Sequence, residues 1–212
     1  MPNRFETDVQ PVLSEAVIAI ARSRRADYGQ LETALDAPEL PSRTISTVAG
    51  EAVRELFRIW GLDAENYGSS NWNPLGSWVR PGATVLLKPN WVLHYNKSGA
   101  GMDCLVTDTS LIEAVLDYVL LARPGRIILG DAPIQGCDFD RLQAACGIDR
   151  LLKKYASAES SVRVVDFRRT VLHGEALGAE RSENRSPPEN YVLFDLAEQS
   201  LLEPLAADSD RF

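Results

Sequence analysis

Two short apolar segments of the chain each run directly into residues that can bind a ligand or transfer a proton. Lys88-Pro89-Asn90 follows one segment and Gly130-Asp131-Ala132-Pro133 follows the other. A lysine suits a carboxylate, phosphate or carbonyl oxygen. An aspartate there can act as a general base, a metal ligand or a hydroxyl acceptor. The pattern predicts a site in which Lys88 and Asp131 do the chemistry and Asn90 orients a ligand.

A structural role for the same residues stays open. Lys88 could pair with an acid while Asn90 caps a turn, and Asp131 could form an Asx turn or a helix cap. If Lys88 and Asp131 end adjacent parallel strands, they should lie close together, because neighbouring strands are about 5 Å apart. Lys88 and Asp131 carry opposite charges at two strand ends, and this combination favours a functional site more than either polar cluster would alone.

Further candidate ligand-binding residues lie between the two clusters. Thr107 and Asp108 precede a long helix, whose first N–H groups attract anions. Asp108 is itself an acid at that place, so a helix cap is its more common role. His94 could act as an acid, a base or a ligand, whereas His173 is expected to be solvated. We predict no metal site, and the sequence names no cofactor.

The chain has three cysteines, Cys104, Cys137 and Cys146. An odd count without a CxxC pair argues against a disulfide framework and against a self-contained zinc or iron–sulfur site. Cys146 is expected in the core. Cys104 and Cys137 fall in loops near the polar clusters, where a metal or thiol role is open but a small buried side chain is more common.

The apolar pattern predicts the elements that would position these residues. Strands are expected over residues 16–21, 84–87, 126–129, 162–167 and 191–194. Helices are expected over residues 49–60, after Asp108, over 139–146 and over 149–155, and Ser110 with Glu113 has the spacing of a capping box.

The remaining segments are expected to be connections. Residues 23–46 should form a loop or a short helix, residues 66–82 a loop, and residues 174–190 a mobile loop. Trp72 and Trp78 could form an aromatic wall or cover the edge of the sheet. The alternation predicts an α/β fold with a mostly parallel sheet flanked by helices. Residues 1–14 would be an irregular lead-in, and residues 15–212 a single domain.

Composition excludes several classes of function. The 212 residues carry a net charge of −8, and such an acidic surface repels nucleic acid. The chain has no run of about 18 apolar residues, so the sequence predicts no membrane span. The first residues lack the pattern of a signal peptide. We therefore expect a cytoplasmic protein, of undetermined oligomeric state. No GxSxG, P-loop, HExxH or GxGxxG motif is present.

The order of Val-Leu-Leu-Lys88-Pro89-Asn90, Thr107-Asp108, an amphipathic helix and Ile-Ile-Leu-Gly130-Asp131-Ala132-Pro133 resembles the domain-of-unknown-function 362 (DUF362) family, over about residues 15–170. Trp72-Asn73-Pro74-Leu75-Gly76 and Cys137-Asp138-Phe139-Asp140 look like a branch found near surface-polysaccharide genes.

The resemblance implies no assigned activity. Some members carry iron–sulfur ferredoxin modules, but this chain has no ferredoxin-type cysteine run. The family's segment like Pro-Lys-Leu-Lys-Thr-His and its later Lys-Asn pair are also absent. We therefore expect a fragment, the N-terminal half of an incomplete domain, with apolar surface exposed where the other half would pack.

Two hypotheses follow. The first is an enzyme-type domain that binds a small anionic or hydroxylated ligand at the strand ends. It requires Lys88, Asp108 and Asp131 to converge in one pocket, with His94 in support. The second is a non-catalytic half-domain that binds a protein or redox partner. It requires those side chains to be satisfied locally, with a large apolar patch elsewhere.

Overall fold

The computed structural model describes residues 18–22, 28–156, 158, 160–173 and 180–183. The strands are β1 Gln30–Asp36, β2 Thr44–Thr47, β3 Thr84–Leu87, β4 Arg126–Asp131, β5 Ser161–Asp166, β6 Thr170–His173 and β7 Glu180–Glu183. The helices are α1 Val48–Ile59, α2 Thr109–Leu121, α3 Phe139–Cys146 and α4 Ile148–Lys154, with a short 3-10 helix at Ala64–Asn66.

A parallel three-stranded sheet lies at the centre, in the order β3-β4-β5. Helix α2 connects β3 to β4, and α3 with α4 connects β4 to β5. Such crossovers are right-handed, and both move in the same direction, so the helices gather on one face of the sheet. The predicted α/β fold with a parallel sheet and flanking helices is confirmed.

The main core lies between that face and the helices. Inward-facing positions alternate along each strand, as the period of a strand requires. The sheet residues of this core are Val85, Leu87, Ile127, Leu129, Val162 and Val164. The fully buried Leu116, Leu142 and Ile148 pack against them from the helices. Burial of such apolar surface is the main source of stability for this layer.

A second core joins α1 to the other side of α2. Trp72 is 1% exposed, lies edge-on to Tyr67 and Tyr118, and donates from Nε1 to the Leu62 carbonyl at 2.8 Å. Trp78 is 53% exposed and contacts Trp60 instead. The tryptophans therefore form no common wall: Trp72 belongs to the core and Trp78 to the surface.

Two predictions for the N-terminal part are wrong. Residues 18–21 form no strand, and Ile18 is 83% exposed; residues 16 and 17 lie outside the described part. Residues 30–36 and 44–47 form an antiparallel hairpin where a loop or short helix was expected. Pro38 and Pro41 lie in its connection, where they break no strand, so their presence did not exclude one.

The segment after β5 also differs from expectation. β6 and β7 form an antiparallel hairpin, so the predicted loop over 174–190 is wrong at Glu180–Glu183. The sequence Glu-Arg-Ser-Glu has no apolar alternation, so this strand depends on backbone pairing that its side chains do not reveal. His173 lies in β6 rather than at the start of a loop. The predicted strand 191–194 and the lead-in 1–14 lie outside the described residues.

The four predicted helices are present, with one change at α2. Asp108 is its N-cap and accepts a hydrogen bond from the Ser110 N–H at 2.8 Å. The capping box predicted from Ser110 and Glu113 is therefore wrong, and Glu113 pairs with Lys154. Within the described ranges, no helix has the length and apolar content needed to cross a bilayer.

Candidate functional site

Lys88 and Asp131 meet at the carboxyl edge of the sheet. Asp131 is the last residue of β4, and Lys88 directly follows β3, so the parallel register brings them together. The Lys88 Nζ lies 2.9 Å from Asp131 Oδ1. The Lys88 side chain is 60% exposed, whereas that of Asp131 is buried. The expected proximity of the two residues is confirmed.

The Asp131 carboxylate also holds the backbone around it. Its Oδ2 accepts from the Trp91 N–H at 2.7 Å, and its Oδ1 from the Ala132 N–H at 2.8 Å. Burial alone would raise the pKa of Asp131, but Lys88 and these two N–H groups outweigh it and hold the pKa below its ordinary value. A carboxylate with a lowered pKa is a weak base at neutral pH.

The segment that Asp131 anchors forms one wall with the segment before α2. The Asn90 N–H donates to Thr107 Oγ1, and the Thr107 N–H donates to the Asn90 carbonyl, both at 2.8 Å. Trp91 and Val106 form an isolated antiparallel bridge beside them. The Asn90 side chain is exposed and forms no hydrogen bond with a described residue. Asp131 thus fixes, through Trp91, the place of Thr107.

Asp108 lies next along this wall, separate from the Lys88–Asp131 pair. Its Oδ1 accepts from both the N–H and the hydroxyl of Ser110. Its Oδ2 accepts no hydrogen bond from a described residue. Thr109 donates its hydroxyl to the Cys146 carbonyl, which fastens the start of α2 to the end of α3. The α2 terminus is therefore already capped by an acid, and it attracts anions poorly.

A cleft of about 610 Å³ opens at this place. We call it the hydroxyl cleft. Its walls are the β1–β2 hairpin, the segment 102–107, the start of α2 and the α3–α4 corner. Its polar lining residues are Tyr28, Gln30, Ser46, Thr47, Asp103, Thr107, Asp108, Thr109, Ser110, Glu113, Arg150 and Lys154. Thr107 and Asp108, predicted from the sequence to bind a ligand, both line it, and Lys88 and Asp131 do not.

His94 lies outside the cleft. The Asp138 N–H donates to His94 Nδ1 at 2.9 Å, so the neutral ring carries its proton on Nε2. Asp138 is in turn the N-cap of α3. His94 therefore helps to hold the start of α3, and the structure does not bring it to Asp108.

The cysteines occupy three different surroundings. Cys104 is exposed, Cys137 is buried, and Cys146 is half-buried at the hydroxyl cleft, and all three are free thiols. Burial raises the pKa of the Cys137 and Cys146 thiols, which disfavours their reactive thiolate forms. Within the described part of the chain, no three His, Cys, Asp or Glu side chains group as a metal site would require.

One polar residue at this edge was missed from the sequence. The Arg168 side chain is buried, and its Nη2 lies 2.6 Å from Oδ2 of Asp166, the last residue of β5. Its Nη1 donates to the Cys137 carbonyl at 2.8 Å. Arg168 thereby holds the loop that follows β4. The signal was available, since Arg168 directly follows the predicted strand 162–167, as Lys88 follows the predicted strand 84–87.

Comparison with known proteins gives one match. No curated protein and no solved structure matches the chain significantly. A family model does match, and it covers the segment that carries Lys88, Thr107, Asp108 and Asp131. The family has no assigned function, so no activity comes from the match. Residues 85–178 match the model of the Domain of unknown function (DUF362), which supports the DUF362 family for this chain.

Proposed function

We propose that this protein binds a small, neutral, hydroxylated molecule, of the sugar or polyol class, in the hydroxyl cleft. The observation that carries the proposal is the cleft itself, which joins Thr107 and Asp108 to the hydroxyl groups of the β1–β2 hairpin. Its volume lies within the range of small-molecule sites, about 300–1,000 Å³.

The lining supports a ligand that exchanges many hydrogen bonds. Six of the lining residues carry hydroxyl groups, namely Tyr28, Ser46, Thr47, Thr107, Thr109 and Ser110. The Tyr28 and Ser46 hydroxyls form no hydrogen bond with a described residue, so they are available to a ligand. Hydroxyl groups both donate and accept, which suits an alcohol better than a purely apolar compound.

Charge in the cleft supports a neutral ligand over an anionic one. Asp108 presents its Oδ2 without a described donor, and a ligand hydroxyl could supply one. Glu113 and Lys154 already pair with each other. Arg150 forms no ion pair with a described residue, but the exposed Asp103 lines the same cleft. Asp103 and Asp108 would therefore repel an anion in the cleft, where Arg150 is the one cation among the described lining residues that forms no ion pair with a described residue.

Lys88, Asp131 and Asn90 have a positioning role in this proposal. The buried Asp131 carboxylate holds Trp91, and the Asn90 backbone holds Thr107 at the cleft wall. The lowered pKa of Asp131 and its ion pair with Lys88 fit this role better than general base catalysis. Catalysis by Lys88 and Asp131, and ligand contact by His94, stay predictions from the sequence.

Partner binding is the second candidate function, because one face of the parallel sheet is left open by the described elements. Phe167 on that face is 39% exposed. The cytoplasmic location, the branch near surface-polysaccharide genes and the association with iron–sulfur proteins also stay predictions from the sequence.

The proposal is tested by Asp108→Asn with Asp138→Asn as its matched control. Both residues are N-caps, of α2 and α3, and asparagine caps a helix about as well as aspartate. Only Asp108 lines the hydroxyl cleft. The two variants should therefore keep the fold while only one of them changes the cleft.

Thermal unfolding is measured with a panel of monosaccharides, polyols, sugar phosphates and carboxylates, and dissociation constants follow by calorimetry. We expect a neutral sugar or polyol to raise the melting temperature. Its affinity should fall about tenfold in Asp108→Asn, as for loss of a charged hydrogen bond of roughly 1.5 kcal/mol, and stay unchanged in Asp138→Asn. A ligand insensitive to Asp108→Asn, or a panel without any binder, would contradict the proposal.

A further inference from the structure

The face of the parallel sheet opposite the helices carries a second set of strand residues. Side chains alternate along a strand, so the residues between the core positions point to this other side. We call it the open face. Its residues are Thr84 and Leu86 of β3, Arg126, Ile128 and Gly130 of β4, and Ser161, Arg163 and Val165 of β5.

The open face is apolar at its centre and lacks a described cover. Leu86 is 58% exposed, and Ile128 and Val165 are half-buried. These three residues belong to neither hydrophobic cluster of the described chain. Parallel sheets are normally covered on both faces, because their strands bury apolar side chains in both directions. A sheet that the described helices cover on one face alone therefore has a surface fit for a partner.

Gly130 and Phe167 extend this apolar surface to the carboxyl edge. A Cβ atom at Gly130 would lie within 3 Å of two atoms of the Phe167 ring, so the ring lies directly over the glycine. The ring thereby adds an apolar surface beside Val165. The open face thus runs from the exposed Leu86 to the aromatic ring of Phe167.

The charges on this face have one sign. Arg126 and Arg163 are exposed and form no ion pair with a described residue. They lie on adjacent strands, two register positions apart. No strand residue of the open face is acidic, although the whole chain carries 30 acidic residues against 22 basic ones. A local basic face on an acidic chain favours an acidic partner by charge complementarity.

We propose that the open face is a docking surface for a partner protein that presents an apolar stripe flanked by carboxylates. Leu86, Ile128 and Val165 would contact the stripe, and Arg126 with Arg163 would pair with the carboxylates. This interaction is independent of the hydroxyl cleft, whose lining shares no residue with the open face.

The probes are two fluorescent amphipathic helical peptides with the same leucine stripe, one flanked by glutamates and the other by lysines. Anisotropy titrations use the full chain. The net charge of −8 would draw the lysine peptide to the protein without any specific site. We expect the glutamate peptide to bind about tenfold more tightly than the lysine peptide. This preference would show that the local positive charge of the open face determines binding.

The variant is the double charge reversal Arg126→Glu with Arg163→Glu. Its matched control is Arg22→Glu with Arg43→Glu, two exposed arginines outside the open face that change the net charge equally. We expect the first variant to reverse the peptide preference and the control to keep it. Equal affinities of the two peptides, or the same response to both variants, would overturn the proposal.

A photo-cross-linking amino acid at position 86 of the full chain identifies any occupant already present. A cross-link to the glutamate peptide, without any cross-link within the chain, supports the proposal. A cross-link to residues 184–212 of the same chain would overturn it, because the chain would then cover its own open face. A cross-linked dimer would overturn it too, since a second copy would be the occupant.

Discussion

Replacement of Asp131 by alanine should destabilise the protein far more than replacement of Lys88 by methionine. The two residues form one ion pair, but only the carboxylate is buried. Asp131→Ala removes the acceptors of the Trp91 and Ala132 N–H groups, at 2.7 and 2.8 Å. Lys88→Met leaves both of these hydrogen bonds in place and removes only the exposed cation.

The expected magnitudes follow from these contacts. A hydrogen bond to a charged group contributes about 1.5–3 kcal/mol, and the Trp91 N–H is buried, so the loss of its acceptor falls in the upper part of this range. The Ala132 N–H is partly accessible and should lose less. The loss in the free energy of unfolding for Asp131→Ala is therefore about 3–5 kcal/mol. An ion pair with an exposed partner contributes about 0–1 kcal/mol, which is the expected loss for Lys88→Met.

Urea unfolding at pH 7, with the free energy extrapolated to water, measures both losses. Because the pKa of Asp131 is lower in the folded than in the unfolded chain, its stabilisation is complete above the ordinary aspartate pKa of about 3.9 and is lost as the pH falls through the folded value. The difference between wild type and Asp131→Ala should shrink accordingly in acid. Equal losses for Asp131→Ala and Lys88→Met would refute the positioning role.

Three further predictions use the same measurement. Gly130→Ala should cost about 1–3 kcal/mol, because its Cβ would clash with the Val165 carbonyl oxygen of β5. Gly136→Ala has open space around the new Cβ and should cost almost nothing. Trp72→Ala should cost about 3–5 kcal/mol and the exposed Trp78→Ala much less, and equal costs would contradict the core position of Trp72. Burial raises the pKa of Asp117, so its ionisation destabilises the fold as the pH rises through the folded value. The free energy of unfolding of Asp117→Asn, relative to that of the wild type, should therefore increase as the pH rises from acidic to neutral. A difference that does not change with pH would exclude this effect.

The sequence predicted the central sheet well because its signals are local. The apolar runs of β3 and β4 and the stripe of α2 each define one element, and the register of parallel strands then brings Lys88 to Asp131. The hairpin β1–β2 was missed, because only three of its apolar residues face inward, namely Leu31 and Leu35, which are half-buried, and Ile45, which is buried. The β6–β7 hairpin was missed because backbone pairing, rather than side-chain pattern, defines it.

The candidate site was predicted in part, for a different reason. Thr107 and Asp108 were predicted from the sequence to bind a ligand, and both line the hydroxyl cleft. The other wall of that cleft includes Ser46, which lies in the segment 23–46 predicted to be a loop or short helix, and the adjacent Thr47. A cleft between distant segments depends on how two layers pack, and no local pattern encodes that relation.

The charged residues at the strand ends have a common physical role. A loop that leaves a buried strand carries backbone N–H and carbonyl groups out of the sheet, and these groups need partners. Asp131 supplies acceptors to the loop after β3, and Arg168 supplies donors to the loop after β4. The ends of β4 and β5 thus each use a buried charge to fix the loop that follows the neighbouring strand. These residues therefore fit a role in positioning the loops, whereas in the hydroxyl cleft the Tyr28 and Ser46 hydroxyls and the Asp108 Oδ2 form no hydrogen bond with a described residue.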